Sequence, residues 1–577
     1  MNNETEQRYR EWLSSPYFDE TTKEELRSLE GNDAEIEDRF YKDLEFGTGG
    51  MRGLMGAGTN RLNIYTIRRA AQATADYIHS MNGASKGVVL VYDSRHGSAE
   101  MAKAAALCLN GNGIPTWMFD SLRPTPELSF AVRRLGAIAG IAITASHNPA
   151  EYNGFKVYWE DGGQITPPHD RRIMACASAI QAIDAVKTMP EAEAVEQGLY
   201  RVLEEEMDQA YLDAVRSVIL NPEAIRENAG TIRIVYTPLH GAGSVPVQKL
   251  LASLGFTQLS VVRRQEEPDG DFTTCPAPNP EEESAWELAL EQAKREDADL
   301  VLATDPDSDR IGMYVKDRTS GTYVCFTGNM IGILLMEYVL SQKQKAGTIP
   351  ADGIVMKTVV SSAMAVPIAK AYGCTLKETL TGFKYIGEAI HTFETEGKGS
   401  FVFGFEESLG VLSGTYVRDK DAQCAAVLIA EAAAYYHGRG MSLLDAMEEL
   451  YQKYGYYQEG LMTVKHAGKA GAERIKAIMT QLRETPPAVI GSQKVTAVRD
   501  YQSGVRTDAE GHTESISLPK SNVLYYELEN GWCCIRPSGT EPKIKMYFGV
   551  NTDSSEHSRN ALEELRLDLQ KRTGGNA

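Results

Sequence analysis

The chain reads Ala137-Ile-Ala-Gly-Ile-Ala-Ile-Thr-Ala-Ser-His-Asn-Pro149 where a short apolar run leads into a polar turn. The apolar residues predict a buried strand, and Asn148-Pro149 ends it and fixes the turn. Ligands bind at the ends of such strands in open α/β sheets, so we expect the hydroxyl of Ser146 at an active-site edge. Lys156 follows shortly afterwards and would provide a cation for a charged group on Ser146.

Three aspartates alternate in a second segment, Leu300-Val-Leu-Ala-Thr-Asp-Pro-Asp-Ser-Asp-Arg310, again after an apolar run. Asp305, Asp307 and Asp309 point the same way if the turn is extended, and three carboxylates on one side repel unless a cation neutralises them. Hard oxygen ligands of this kind suit Mg²⁺ or another hard divalent ion. An EF-hand is excluded because its sixth position holds Arg310 instead of glycine. The remaining alternative is a solvated acidic loop.

A third segment, Ser400-Phe-Val-Phe-Gly-Phe-Glu-Glu-Ser-Leu-Gly410, places polar acceptors after another predicted strand. Glu406 and Ser408 alternate, so both can face one ligand. Carboxylate and hydroxyl groups bind sugar hydroxyls, whereas a carboxylate repels a phosphate. The alternative is a strand end with solvated acids.

A fourth segment, Trp532-Cys-Cys-Ile-Arg-Pro-Ser-Gly-Thr-Glu-Pro-Lys543, has the composition of an anion-binding loop. It contains Arg536, two hydroxyls and a glycine, and its main chain supplies further N–H donors. Lys545 adds a second cation on the strand that follows.

Four ordered motifs resemble the signature loops of the α-D-phosphohexomutase superfamily, and within it those of the bacterial α-phosphoglucomutases. They are Thr144-Ala-Ser-His-Asn-Pro149, Asp305-Pro-Asp-Ser-Asp-Arg310, Phe405-Glu-Glu-Ser408 and Arg536-Pro-Ser-Gly-Thr540. The resemblance runs from about residue 41 to about residue 550, and four motifs in order are more specific than any one of them.

The resemblance implies an intramolecular phosphotransferase that interconverts glucose 1-phosphate and glucose 6-phosphate. It implies a phosphoserine enzyme, one Mg²⁺ per chain, and glucose 1,6-bisphosphate as intermediate and activator. The implied catalytic residues are Ser146, Arg52, Lys156 and His147. The implied metal ligands are Ser146, Asp305, Asp307 and Asp309. The implied substrate-binding residues are Arg310, Thr381, Glu406, Ser408, Lys420, Arg536, Ser538, Gly539, Thr540 and Lys545.

One departure bears on sugar specificity. Members that accept both mannose and glucose phosphates commonly carry a Gly-Glu-x-Ser-Gly-His loop, but this chain reads Phe405-Glu-Glu-Ser-Leu-Gly410 and lacks the histidine. The sequence is closer to glucose-type and phosphopentose-type mutases. Phosphopentomutase, phosphomannomutase and glucose 1,6-bisphosphate synthase activities remain the alternatives within the superfamily.

Two alternatives lie outside the superfamily. A haloacid-dehalogenase-type sugar phosphatase also uses an Asp-x-Asp loop, but Asp305 would be its nucleophile and Ser146 would have no role. A non-catalytic sugar-phosphate sensor would lack the nucleophile or the metal loop, and both are present here.

Composition limits the partners. The formal net charge is −20 and the isoelectric point is about 5.1, which argues against nucleic acid or an anionic membrane as partner. Small sugar phosphates are expected instead, bound by a locally cationic site. The first residues lack the basic flank and apolar core of a signal peptide, and the eight cysteines lack metal-ligand spacing. We therefore expect a cytoplasmic protein with reduced thiols, and we expect a monomer.

Strands and helices alternate along the chain, which predicts an α/β fold. With the resemblance, the expectation is a four-domain phosphohexomutase-like architecture, in which three similar α/β domains and a smaller C-terminal α+β domain surround a central cleft. We predict a phosphoserine-loop domain with an N-terminal helical extension at 1–205 and a metal-loop domain at 206–320. A sugar-loop domain at 321–450 and a phosphate-binding domain at 451–577 follow. The polar stretch 503–512 is predicted to be a surface loop.

Overall fold

The computed structural model describes residues 3–47, 49–180, 182, 185–466, 468–538 and 543–574. The chain divides into two compact units. The first comprises Met1–Phe326, Phe383–Phe401 and Ser408–Gly440. The second comprises Thr327–Gly382, Val402–Glu407 and Met441–Ala577.

The helices and strands alternate through most of the chain, as predicted. The α-helices are α1 Asn3–Ser14, α2 Glu20–Arg27, α3 Asp33–Phe40, α4 Ile64–Ser80, α5 Ser98–Gly111, α6 Thr125–Leu135, α7 His169–Ala179, α8 Glu191–Glu196, α9 Glu205–Arg216, α10 Pro222–Asn228, α11 Ser244–Ser253, α12 Arg263–Glu266, α13 Glu287–Glu296, α14 Gly328–Ala346, α15 Ala365–Ala371, α16 Lys384–Glu396, α17 Ala422–Gly438, α18 Leu443–Tyr454, α19 Gly468–Glu484 and α20 Ser555–Thr573. The strands are β1 Gly50–Leu54, β2 Val88–Tyr92, β3 Thr116–Phe119, β4 Ala139–Ile143, β5 Tyr152–Trp159, β6 Tyr200–Leu203, β7 Ile234–Thr237, β8 Leu259–Val261, β9 Leu300–Thr304, β10 Ile311–Lys316, β11 Tyr323–Phe326, β12 Gly353–Thr358, β13 Thr375–Thr379, β14 Ser400–Glu406, β15 Gly410–Ser413, β16 Tyr456–Lys465, β17 Val489–Ile490, β18 Gln493–Asp500, β19 Val505–Asp508, β20 Thr513–Ser515, β21 Leu524–Leu528, β22 Gly531–Pro537 and β23 Lys543–Thr552.

A mixed six-stranded sheet in the first unit positions the Ser146 turn. Its strand order is β1-β5-β4-β2-β3-β6, with β4, β2, β3 and β6 parallel and β5 antiparallel to β4. Every residue of β4 is buried, which explains its unbroken apolar sequence. The predicted strand is thus confirmed, and it ends at Ile143, immediately before the turn.

A second mixed sheet in the same unit positions the aspartate loop. Its order is β11-β10-β9-β7-β8, with β7 parallel to both β8 and β9 and β10 antiparallel to β9. β9 is fully buried and ends at Thr304, so Asp305 is the first residue beyond it. α17 packs against α9, α10 and α11 in this unit.

The second unit contains a parallel strand pair and a large antiparallel sheet. β12 and β13 run parallel, whereas the C-terminal strands follow the order β16-β23-β22-β21-β18-β19-β20. α20 packs on β16 and β23 in this α+β part of the chain. The prediction of a surface loop at 503–512 was wrong for Val505–Asp508, which forms β19 and pairs with β18, whereas the residues on either side of this strand lie in turns or irregular backbone. All four of its side chains are half-buried and three of them are polar, so the hydropathy pattern did not reveal the strand.

Among the described residues, we find no helix that combines the length and the apolar character needed to cross a membrane. All eight cysteines are free thiols, and Cys533 and Cys534 are buried neighbours in β22.

Candidate active site

Ser146 lies in a tight turn with a left-handed backbone. Its φ is 54°, a conformation that costs a non-glycine residue about 1 to 2 kcal/mol. The side chain is buried, and its hydroxyl donates a 2.8 Å hydrogen bond to Asp305 Oδ2. His147 Nδ1 lies 3.2 Å from the same hydroxyl oxygen. The fold thus brings the first two predicted motifs together at one serine oxygen.

The three alternating aspartates converge, as their spacing predicted. Asp305, Asp307 and Asp309 are all buried and can each offer an oxygen within 4.8 Å of the others. Asp307 Oδ1 and Asp309 Oδ1 accept no hydrogen bond from any residue that the structure describes. Buried carboxylate oxygens without donors are costly unless a cation is bound, and an all-oxygen set fits a hard divalent ion.

Two lysines partly balance this negative charge. Lys156 Nζ on β5 donates to Asp307 Oδ2 at 2.7 Å and lies 3.9 Å from Asp309 Oδ2. Lys420 Nζ lies 2.8 Å from Asp309 Oδ2. Arg310 Nε lies 3.8 Å from Asp309 Oδ1 and adds a third positive charge beside the cluster.

The three carboxyl groups differ in their pKa. Burial and the neighbouring Asp307 raise the pKa of Asp305 well above its ordinary value, and the same causes raise that of Asp309. Burial also opposes ionisation of Asp307, but the contact with Lys156 outweighs it and lowers the pKa of Asp307. The first proton is therefore lost from Asp307, and a bound cation would favour ionisation of the other two.

Two further cationic residues contact the Ser146 turn or the aspartate loop. Arg52 on β1 donates to Asn148 Oδ1 at 3.2 Å, and the Arg310 main-chain N–H donates to Asp305 Oδ1 at 3.1 Å. Burial and the nearby Arg310 hold the pKa of His147 well below its ordinary value. His147 is therefore a neutral imidazole at neutral pH.

The sugar-loop and anion-loop residues occupy both units. Ser408 lies in the first unit, whereas Thr381 and Glu406 lie in the second. Glu406 is the last residue of β14 and is buried, so it belongs to the strand and not to the loop after it.

The anion-loop residues also lie in the second unit. Arg536 is in β22, directly opposite Lys545 in β23, and the Ser538 N–H donates to Lys543 O at 2.8 Å. The predicted site residues Gly539 and Thr540 lie outside the described residues.

Sequence reasoning missed several residues that support the site. Arg95 donates to the Ser146 carbonyl, Asp93 pairs with Arg95, and the Thr125 hydroxyl donates to Asp307 Oδ2 at 3.1 Å. Asp93 follows the buried strand β2 in the same way that Asp305 follows β9. This repeated pattern, a buried strand followed by a carboxylate, is the sequence signal that could have identified Asp93.

Four family models match successive parts of the chain. They are described as phosphoglucomutase/phosphomannomutase alpha/beta/alpha domain I at residues 43–184, domain II at 209–321, domain III at 327–454, and C-terminal domain at 472–566. These matches confirm an architecture of three α/β domains followed by a C-terminal domain.

Curated relatives match nearly the whole chain. A phosphoglucomutase of Staphylococcus haemolyticus is 37% identical over 522 residues, which cover 90% of this chain and 92% of the relative. A phosphoglucomutase of Staphylococcus aureus USA300 is 36% identical over 536 residues, covering 92% and 94%.

Solved structures share the fold at lower identity. Parafusin, a phosphoglucomutase from Paramecium in an open form, superposes with a TM-score of 0.69 at 16% identity, covering 92% of this chain and 95% of its own. A phosphoglucomutase/phosphomannomutase family protein from Burkholderia thailandensis gives 0.64 at 18% identity, covering 92% and 98%. At these identities the likeness shows the fold alone.

Proposed function

Because the chain belongs to the phosphoglucomutase/phosphomannomutase family, we propose that it is a phosphoglucomutase that interconverts glucose 1-phosphate and glucose 6-phosphate. The observation that carries the proposal is the contact between the buried Ser146 hydroxyl and the Asp305–Asp309 cluster. A serine beside three carboxylates is unfavourable for a phosphoryl group unless a cation is bound there as well. A buried serine in contact with a carboxylate cluster suits a metal-dependent phosphoserine and has no evident structural purpose.

Ser146 would carry the phosphoryl group that is transferred. A hydroxyl oxygen of the sugar phosphate forms a bond to phosphorus as the bond from phosphorus to Ser146 Oγ breaks. The hydroxyl loses its proton, Ser146 Oγ gains one, and glucose 1,6-bisphosphate results. The bisphosphate turns over, and its other phosphate returns to Ser146. Asp305, Asp307 and Asp309, together with the phosphate on Ser146, would hold one Mg²⁺, which when bound neutralises phosphate charge.

The surrounding residues would position and stabilise the transferred group. Phosphoryl transfer passes through a loose transition state in which charge stabilisation dominates, and the cations Lys156, Arg310 and Arg52 can provide it. The neutral ring of His147 lies 3.2 Å from Ser146 Oγ and can hydrogen-bond the serine oxygen as the phosphoryl group leaves.

The remaining predicted residues would bind the substrate away from the transferred group. Glu406, Ser408, Thr381 and Lys420 are assigned to the sugar and its surroundings. Arg536, Ser538 and Lys545 are assigned to the phosphate that is not reacting, together with the predicted Gly539 and Thr540. Arg536 and Lys545 are directly opposite on paired strands, so two cationic side chains occupy neighbouring positions of the sheet.

The test is a steady-state assay with glucose 1-phosphate, Mg²⁺ and glucose 1,6-bisphosphate as activator. Ser146→Ala should reduce turnover by roughly a thousandfold or more, because no other group replaces the nucleophile. Ser94→Ala is the matched control, since the nearby Ser94 hydroxyl is buried and has no hydrogen-bond partner among the described residues. Glucose 1-phosphate should be used better than mannose 1-phosphate or ribose 1-phosphate. Retained activity in Ser146→Ala would contradict the serine mechanism, and a higher kcat/KM for another sugar would change the assigned substrate.

A further inference from the structure

A buried ion pair lies beneath the Ser146 turn. Asp93 and Arg95 follow β2, their side chains are essentially inaccessible to solvent, and Arg95 Nε lies 3.1 Å from Asp93 Oδ2. Removing two charges from water is costly, and a well-packed apolar pair is often at least as stable. We therefore infer that the Asp93–Arg95 pair has a role other than stabilising the fold.

Arg95 binds the main chain of the Ser146 turn through its whole guanidinium group. One terminal nitrogen donates to the carbonyls of Ser146, at 2.6 Å, and of Asn148. The other donates to the carbonyls of Pro149 and Tyr152, at 2.7 and 3.1 Å. With Nε on Asp93, all five N–H donors have acceptors, which a lysine ammonium with three donors cannot reproduce.

The amide side of Ser146 is held by the same carboxylate. Thr144 Oγ1 donates to Asp93 Oδ2 at 2.6 Å and accepts the Ser146 N–H at 2.8 Å. Asp93 thus acts on the Ser146 N–H through Thr144 and on the Ser146 carbonyl through Arg95. Both peptide groups next to the left-handed Ser146 residue are fixed by one network.

The segment after β8 covers this network. The guanidinium carbon of Arg95 lies 5.0 Å from the ring centroid of Phe272, which is fully buried and itself has a φ of 47°. The ring keeps water from the guanidinium group, so the carbonyls of the turn are its available acceptors.

We propose that Arg95 is a positioning residue for phosphoryl transfer: it holds Ser146 in the left-handed conformation that aims its hydroxyl at Asp305. This inference rests on the proposed function, because it assigns to Arg95 the placement of the phosphoryl carrier. Arg95 contacts the main chain of the turn and acts on the reaction only through Ser146.

Arg95→Lys is the first test, because it keeps the positive charge and removes the planar guanidinium group with its five N–H donors. The rate constant for phosphoryl transfer from phosphorylated Ser146 to glucose 1-phosphate, measured in single-turnover rapid quench, should fall about ten- to a hundredfold, as expected for a misplaced reacting group. The KM for glucose 1-phosphate should stay within about threefold, because the substrate contacts are unchanged.

Arg61→Lys is the matched control. Arg61 is also a buried arginine of the first unit, and it pairs with Glu35 and Asp38. Its lysine variant should lower the melting temperature to a similar degree but leave the transfer rate unchanged. A transfer rate in Arg95→Lys equal to that of Arg61→Lys would overturn the proposal.

Thr144→Val provides a second route if Arg95→Lys does not fold. Valine keeps the shape of threonine but cannot accept the Ser146 N–H, so the same loss of transfer rate with an unchanged KM is expected. A folded Thr144→Val enzyme with the wild-type rate would contradict the proposal. If wild type itself acquires no phosphate on Ser146, the proposed function fails instead.

Discussion

The proposed metal site depends on the placement of single side chains. A tight turn, closed by a hydrogen bond from the Ser308 N–H to the Asp305 carbonyl, brings Asp305, Asp307 and Asp309 together, and burial removes the water that would otherwise solvate them. Lys156 and Lys420 supply two of the balancing charges. The Oδ1 atoms of Asp307 and Asp309 accept no hydrogen bond from any described residue, which is why we propose that a divalent ion binds there.

Asp307→Asn should weaken Mg²⁺ binding while leaving the fold intact. The amide keeps one oxygen ligand but loses the charge, so the Mg²⁺ concentration for half-maximal activity should rise about tenfold or more. Activity titration and calorimetric Mg²⁺ binding measure the effect. Asp508→Asn is the control, because Asp508, Glu510 and His512 form a second acidic group whose members are not fully buried. Equal Mg²⁺ requirements in wild type and Asp307→Asn would remove Asp307 from the metal site.

At this scale the sequence singled out the residues of the proposed site better than the residues that support them. Ser146, Lys156 and the aspartates lie in short local patterns that hydropathy and spacing reveal. Arg95 is different, because its role depends on four carbonyls between Ser146 and Tyr152 that reach it only in the folded sheet.

Among the secondary-structure elements, the paired strands β22 and β23 determine the predicted phosphate site. The sequence predicted an anion-binding loop at Arg536, and the structure places Arg536 and Lys545 at opposite positions on two hydrogen-bonded strands. A site built on strands is more rigid than one built on a loop, which favours one fixed position for the phosphate.

Arg536→Lys should raise the KM for glucose 1-phosphate and leave phosphate on Ser146 detectable. Lysine keeps the charge but loses the bidentate fork, which costs roughly 1.5 to 3 kcal/mol, or about ten- to a hundredfold in kcat/KM. Steady-state kinetics and the intact mass are the measurements. Arg506→Lys in β19 of the same sheet serves as control and should leave KM unchanged. Loss of Ser146 phosphate with a normal KM would assign Arg536 to the transferring group.

Glu459 in β16 predicts a pH-dependent stability. Burial raises its pKa from 4.5 to about 7, although Ser362 Oγ donates to it at 2.5 Å. Because the pKa is higher in the folded state, folding favours the protonated carboxyl group. The contribution of Glu459 to the free energy of unfolding is therefore fully present below pH 4.5 and is lost as the pH rises through about 7.

Glu459→Gln should therefore remove this dependence. Between pH 5 and pH 8 the wild type should lose on the order of 3 kcal/mol in its free energy of unfolding that the variant does not lose. Urea unfolding at the two pH values measures it, with Glu529→Gln at an exposed turn position as control. Parallel pH profiles for wild type and Glu459→Gln would refute the assignment.

Most elements were predictable from apolar runs, and the errors have physical causes. β4 and β9 are fully buried and therefore read as unbroken apolar sequence. β19 is half-buried and three of its four residues are polar, so its hydropathy does not predict a strand. The strand is defined instead by its pairing with β18. Glu406 was expected just after a strand, but it is the last residue of β14, because an apolar run does not show on which residue a strand ends.

For the whole molecule, four ordered motifs were sufficient to predict the family and its four-part organisation. The predicted boundaries near residues 205, 320 and 450 stay predictions, because composition changes little where one α/β domain follows another. Sugar preference also stays a prediction, since it rests on the absence of a histidine from the loop at 405–410 and not on a contact.

The central claim is that Ser146 carries the phosphoryl group during turnover, and radiolabelled glucose 1,6-bisphosphate tests it most directly. The enzyme should acquire label on the peptide that contains Ser146, and excess glucose 6-phosphate should discharge that label within the time of a catalytic cycle. Ser146→Ala should acquire none. Label on Asp305, recognised by its lability to hydroxylamine, or label on Ser146 that exchanges more slowly than turnover, would contradict the account.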